Sequence, residues 1–149
     1  MPVDKQMIFR IMILAVAALT SIRDIKNKEI PLALLLIAGT VSVVFGILGV
    51  ASGELFVAEV ILPLIPGILF LLISLVTREG VGIGDGLFIL CTAIPFGAVG
   101  TFVGISIALC LSAAFAVIIL VSGKGSRKSR LPFVPFIAIG MGVCTCAGI

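Results

Sequence analysis

Long apolar runs, separated by connections of only a few polar residues, leave this chain almost no way to fold in water. The runs cover roughly 7–22, 31–51, 55–77, 99–122 and 131–148, with a shorter one at 86–97. A helix crosses a bilayer with about 20 apolar residues, so runs of this size read as membrane spans. Over the 149 residues, 61% are hydrophobic and 11% are charged, with a mean hydropathy of +1.42. Soluble domains hold roughly 45–50% apolar and about 25% charged residues. The chain therefore reads as a single all-α integral membrane domain spanning 1–149, with no stretch polar enough for a separate soluble module, and no nucleic-acid partner is expected. Asp4, Lys5 and Arg10 precede or open the first run, and no small-residue cleavage site follows it, so that run is expected to be retained as a span.

The number of crossings follows from charge. Arg23, Lys26 and Lys28 lie in one connection and Lys124, Arg127, Lys128 and Arg130 in another. The positive-inside rule puts both on the cytoplasmic side, so an even number of crossings must separate them. An unbroken 86–122 gives three. A break at Pro95-Phe96-Gly97 gives four, and proline and glycine are the residues that make one. Six transmembrane helices result, with both termini outside and eight basic residues inside (Arg78 included) against Lys5 and Arg10 outside. The fourth helix is short: twelve residues reach only about 18 Å, against a hydrocarbon core of about 30 Å. It opens with Gly82-Ile83-Gly84-Asp85-Gly86, which brings a carboxylate to the membrane edge at a helix N-terminus, where an anion is favoured.

Two crossings separate Asp85 from Asp24, so both acids fall on the same side. Taken alone, Asp24 amid Arg23, Lys26 and Lys28 reads as a solvated juxtamembrane charge. Asp85 after a glycine turn reads equally as a helix N-cap. As a pair, they have the chemistry of two carboxylates sharing one proton, which polarises a water for attack on a peptide carbonyl. Histidine is absent and Cys91, Cys110, Cys144 and Cys146 form no C-x-x-C pair, so neither a metal nor another cofactor is expected. The Cys144-x-Cys146 pair is read as small apolar residues, with a strained or intermolecular disulfide as the alternative.

At these residues the chain resembles the type IV prepilin peptidases, membrane aspartic proteases that remove leader peptides from type IV pilins and related pseudopilins. Three stretches carry the resemblance: Asp24 followed by Ile30-Pro31, then Gly82-x-Gly84-Asp85, and Leu131-Pro132-Phe133-Val134-Pro135-Phe136, which is similar to the P-F-x-P-F segment opening the family's last helix. The resemblance implies that Asp24 and Asp85 are the catalytic acids. It makes Pro31, Gly82, Gly84, Gly86, Pro132, Phe133, Pro135 and Phe136 motif residues that shape the site or contact substrate. It implies substrates with a short basic leader, often ending in glycine, ahead of an apolar helix, cut at the cytoplasmic face of the cell membrane. Leu32, Gly86-Leu87 and Val134 depart from the residues frequent in the family, and the lysine common after the second acid is missing. Nothing corresponds to the cysteine-rich methyltransferase portion of larger members, so cleavage without N-methylation is expected, as in Tad/Cpa-type and archaeal preflagellin peptidases, with the bacterial branch favoured.

Three rival readings stand beside this one. Presenilin-like proteases share G-x-G-D, but usually carry a Tyr-Asp pair, and this chain has no tyrosine. A small proton- or ion-coupled transporter would use Asp24 and Asp85 as binding groups, yet no internal repeat is evident. A structural protein would use Gly39, Gly46 and Gly49 for helix contacts.

Overall fold

The computed structural model describes residues 3–27, 30–77, 82–122 and 132–149. The element order is α1 (Val3–Asn27), α2 (Leu32–Ala51), α3 (Val57–Ile61), α4 (Leu64–Thr77), α5 (Ile83–Thr92), a 3-10 turn at Ile94–Phe96, α6 (Gly97–Val121) and α7 (Val134–Ala147), with no strand among the described residues. Each apolar run is mainly helical in its described residues. Three helical stretches, Leu32–Ala51, Val57–Val76 and Ile94–Val121, are long and apolar enough to cross a membrane, and Ile83–Thr92 and Val134–Ala147 are shorter apolar helices. Their outward faces match that reading: Val76 is 82% exposed and Phe102 65%, surfaces that a chain folding in water would bury.

The breaks have local causes. The expected break between the fourth and fifth segments is present: the Pro95 ring sits in the 3-10 turn, and Gly97 takes φ 69°, a left-handed conformation that residues with a side chain rarely adopt. The third segment, expected to be continuous over 55–77, is instead divided into α3 and α4. Pro63 brings no N–H and its ring crowds the preceding turn, so the regular helix stops at Ile61 and resumes at Leu64. Glu59 secures the start of α3 by accepting the Phe56 N–H at 2.8 Å.

Contacts between helices fix their directions. At one end, Arg10 near the start of α1 meets the turn at Pro95 and Phe96 and the carbonyl of Ile149 beyond α7. At the other, Asp24 near the end of α1 meets Val134 at the start of α7. Ile30, just before α2, packs on Gly84 of α5, while Gly46 near the end of α2 packs against Val60 and Ile94. Gly67 of α4 lies against Leu90 of α5 and Gly86 of α5 against Leu71 of α4, so these two helices are antiparallel. Gly100 approaches Ile149 and Gly104 approaches Met141, which makes α6 and α7 antiparallel as well. Among the described residues, six helical segments, counting α3 with α4, thus run alternately between an Arg10 end and an Asp24 end.

Packing between these helices is close because small residues permit it, which is how helices associate when lipid removes the hydrophobic drive. A Cβ at Gly140 would overlap the Gly104 carbonyl, and one at Gly86 would lie 3.0 Å from the Leu71 backbone, so side chains at either position force helices apart. Gly39, Gly46 and Gly49 serve packing too, against Cys91, Val60 with Ile94, and Leu55 respectively. The interior is filled by Ile13, Leu35, Phe88, Ile89, Phe96, Val134 and Ile137. The four cysteines are free thiols, including Cys144 and Cys146.

Candidate active site

Four helix ends converge at the Asp24 end: the last turn of α1, the residues entering α2, and the first turns of α5 and α7. Asp24 is 5% exposed, which corrects its reading as a solvated charge. Helical geometry explains the burial. Arg10, Ile13, Ala17, Thr20, Ser21 and Asp24 are all buried and recur at intervals of three or four residues, so they form one inward stripe of α1, while Arg23 and Lys26 point outward.

A carboxylate in the last turn of a helix faces the negative end of that helix's dipole. Asp24 is compensated by α7, whose Val134 N–H donates to its Oδ2 at 3.2 Å; the Phe133 N–H also stabilises the charged form. Burial outweighs these bonds and pushes the Asp24 carboxyl above its ordinary value of 3.8.

Asp85 is the third residue of α5, with Gly82 at the cap position, so the N-cap expectation for Asp85 is corrected by two structural facts. Its own N–H donates to the Gly82 carbonyl at 3.0 Å, and its carboxylate reaches back toward the Gly82 N–H. Asp85 precedes the apolar run of its helix, as Asp24 follows that of α1. Burial, then the neighbouring charge of Asp24, push the Asp85 carboxyl up to about 7, with the Gly82 N–H opposing. The structure therefore brings the two sequence-predicted acids into one electrostatic unit.

The motif residues hold this unit together. Pro31 caps α2, its carbonyl accepting the N–H groups of Leu34 at 3.0 Å and Leu35 at 3.2 Å, and Ile30 beside it packs on Gly84. A Cβ at Gly82 would lie 2.9 Å from Asp85 Oδ2, so a side chain there displaces the carboxylate from its place. Gly86 supplies the α4 contact described above. Pro132 leads into α7, and Pro135 sits in its first turn, where its missing N–H costs nothing. Phe133 stacks on Phe70 of α4 with ring centroids 5.3 Å apart, and Phe136 meets Phe115 of α6 at 5.7 Å. The two phenylalanines thus tie the start of α7 to two neighbours and fix where its amides point.

Lys28, Arg78, Lys124, Arg127, Lys128, Arg130 and Leu131 lie outside the described residues. Arg10, expected only as an external basic residue, is buried. Its guanidinium donates to the carbonyls of Pro95 at 3.0 Å and Phe96 at 3.4 Å and to that of Ile149, and lies 5.6 Å from the Phe96 ring centre. Gln6 adds a bond to Pro95 at 3.1 Å. The inward stripe that ends in Asp24 begins with Arg10, and that spacing is the sequence signal that marks both.

One buried carboxylate held by amides, beside a second that keeps its proton near neutrality, can remove a proton from water and supply one to a carbonyl oxygen. No family model, curated protein or solved structure matches the chain.

Proposed function

We propose that the chain is a type IV prepilin leader peptidase, an aspartic endopeptidase of the cell membrane that uses Asp24 and Asp85 to hydrolyse leader peptides of pilin-like precursors. The observation that supports this most is the pairing itself: Asp24 buried against the start of α7, and Asp85 held near neutrality partly by the charge of Asp24. Two acids so coupled at a helix end, with no buried cation beside them among the described residues, fit a water-activating dyad.

In this reading each of the six alternating segments crosses the bilayer. The Asp24 end faces the cytoplasm, because Arg23 and Lys26 lie there and the connections bearing Lys28, Arg78 and Lys124 to Arg130 leave from it. The ten residues of α5 rise only about 15 Å, which sets Asp85 at a recessed membrane face that water still reaches. The scissile amide of a precursor meets the dyad there: its basic leader stays in the aqueous phase near anionic headgroups, and its apolar helix stays in lipid beside the bundle.

Co-expression with a glycine-cleaved pilin-type precursor tests this, comparing wild type with Asp85→Asn by mass spectrometry of the product N-terminus. Correct cutting by wild type alone is expected. Equal cutting by both removes Asp85 from the chemistry, and proton or ion flux without a processed product favours a transporter.

A further inference from the structure

The two acids are held unequally, and the inequality divides their roles. Asp24 lies at the N-terminus of α7, buried, with the Val134 N–H at 3.2 Å from Oδ2 and the Phe133 N–H also favouring its charged form. Among the described residues, the amide that favours the charged form of Asp85 is that of Gly82, and Asp85 is held in the first turn of a helix whose start it caps from within. Amides that donate to a carboxylate favour its ionised form, and each further donor strengthens that preference. Among the described residues, no other charge levels the difference: Arg23 and Lys26 on α1 are exposed, and α2, α4, α6 and α7 bring no titratable side chain to this end.

Resting on the peptidase reading above, we propose that the first amides of α7 make Asp24 the ionised general base and leave Asp85 as the proton-carrying general acid. Asp24 then takes a proton from water as the water oxygen bonds to the scissile carbonyl carbon, and Asp85 gives its proton to the carbonyl oxygen. The product is a gem-diol with Asp24 protonated and Asp85 ionised. In the second step the C–N bond breaks: Asp24 returns its proton to the leaving nitrogen, Asp85 removes one from a diol hydroxyl, and both acids regain their starting states. Val134 and Phe133 act through Asp24 and are positioning residues. The P-F-x-P-F segment accordingly sets the direction of proton flow, through the two phenylalanines that anchor α7.

The assignment is tested on the full chain in lipid vesicles by infrared titration with carboxyl-labelled aspartate, which reports only Asp4, Asp24 and Asp85. The expected result is a carboxyl titrating near neutral pH in wild type, absent in Asp85→Asn, and present at lower pH in Asp24→Asn because the repelling charge is gone. A neutral-titrating carboxyl that persists in Asp85→Asn overturns the assignment. In the Asp85→Asn background, replacing the Val134 amide by an ester through α-hydroxyisovalerate deletes one N–H without changing the side chain. The Asp24 midpoint is expected to rise by about one pH unit, the equivalent of one hydrogen bond to a charged group; an unchanged midpoint overturns the role of α7. Neither readout needs turnover, so absence of cleavage in the co-expression assay counts against the peptidase reading and not against this division.

Discussion

Replacing Asp85 by asparagine should remove most of a pH dependence of stability that runs opposite to that of an ordinary salt-bridged acid. In the folded chain the carboxyl is raised from 3.8 to about 7, chiefly by burial. Between those values the native state holds a proton that the unfolded chain has released, so stability is greatest below about pH 4 and is lost as pH rises to about 7. The slope approaches 1.4 kcal/mol per pH unit, and the whole difference has a ceiling of about 4 kcal/mol, because each pKa unit is worth about 1.36 kcal/mol. The residual exposure of Asp85 brings the measured figure below that ceiling. Asparagine keeps the shape and the Gly82 contact without the charge, so the variant should be nearly flat over the same range and more stable than wild type at pH 8. Asp24, raised in the same direction, leaves a smaller slope behind. Reversible unfolding in mixed micelles at pH 5, 6, 7 and 8, followed by circular dichroism, measures both proteins. An identical slope in Asp85→Asn, or a wild type that gains stability as pH rises, refutes the burial and coupling described for this carboxyl.

Processing rate should fall above pH 7, approaching tenfold per unit as Asp85 loses its proton, and a pH–rate profile in reconstituted vesicles reads the apparent values of the pair. Gly82→Ala should reduce processing at least tenfold while leaving the helical spectrum intact, since its Cβ meets Asp85 Oδ2; Gly84→Ala, facing the flexible end of Ile30 at 3.2 Å, should retain most activity. Arg10→Met should lower stability by about 2–3 kcal/mol by stripping a charged donor from buried carbonyls, without changing the pH–rate profile, because Arg10 acts at the opposite end of the bundle.

Much of this architecture is written in patterns that need no tertiary information. Apolar runs announce the helices, and Pro95-Phe96-Gly97 announces the turn because one residue lacks a donor and another tolerates positive φ. Pro63 carries the same warning for α3 and α4, yet the run around it is uniformly apolar and masks the interruption. The burial of Asp24 was hidden by its charged neighbours, although they occupy a different face of the helix; counting back by threes and fours to Ser21, Thr20, Ala17 and Arg10 exposes the inward stripe. Two facts were not legible at all. Which amides reach Asp24 depends on how α7 docks, through Phe133 on Phe70 and Phe136 on Phe115, pairings separated by more than 20 positions in the chain. The clasp of Arg10 on Pro95, Phe96 and Ile149 likewise joins positions that only the folded bundle brings together.

The most direct measurement is processing of a purified pilin-type precursor by the purified chain in vesicles, with Asp24→Asn and Asp85→Asn each confirmed as folded by their helical spectra. The shared dyad predicts a correctly cut product from wild type and none above background from either variant. Full processing by either folded variant contradicts it.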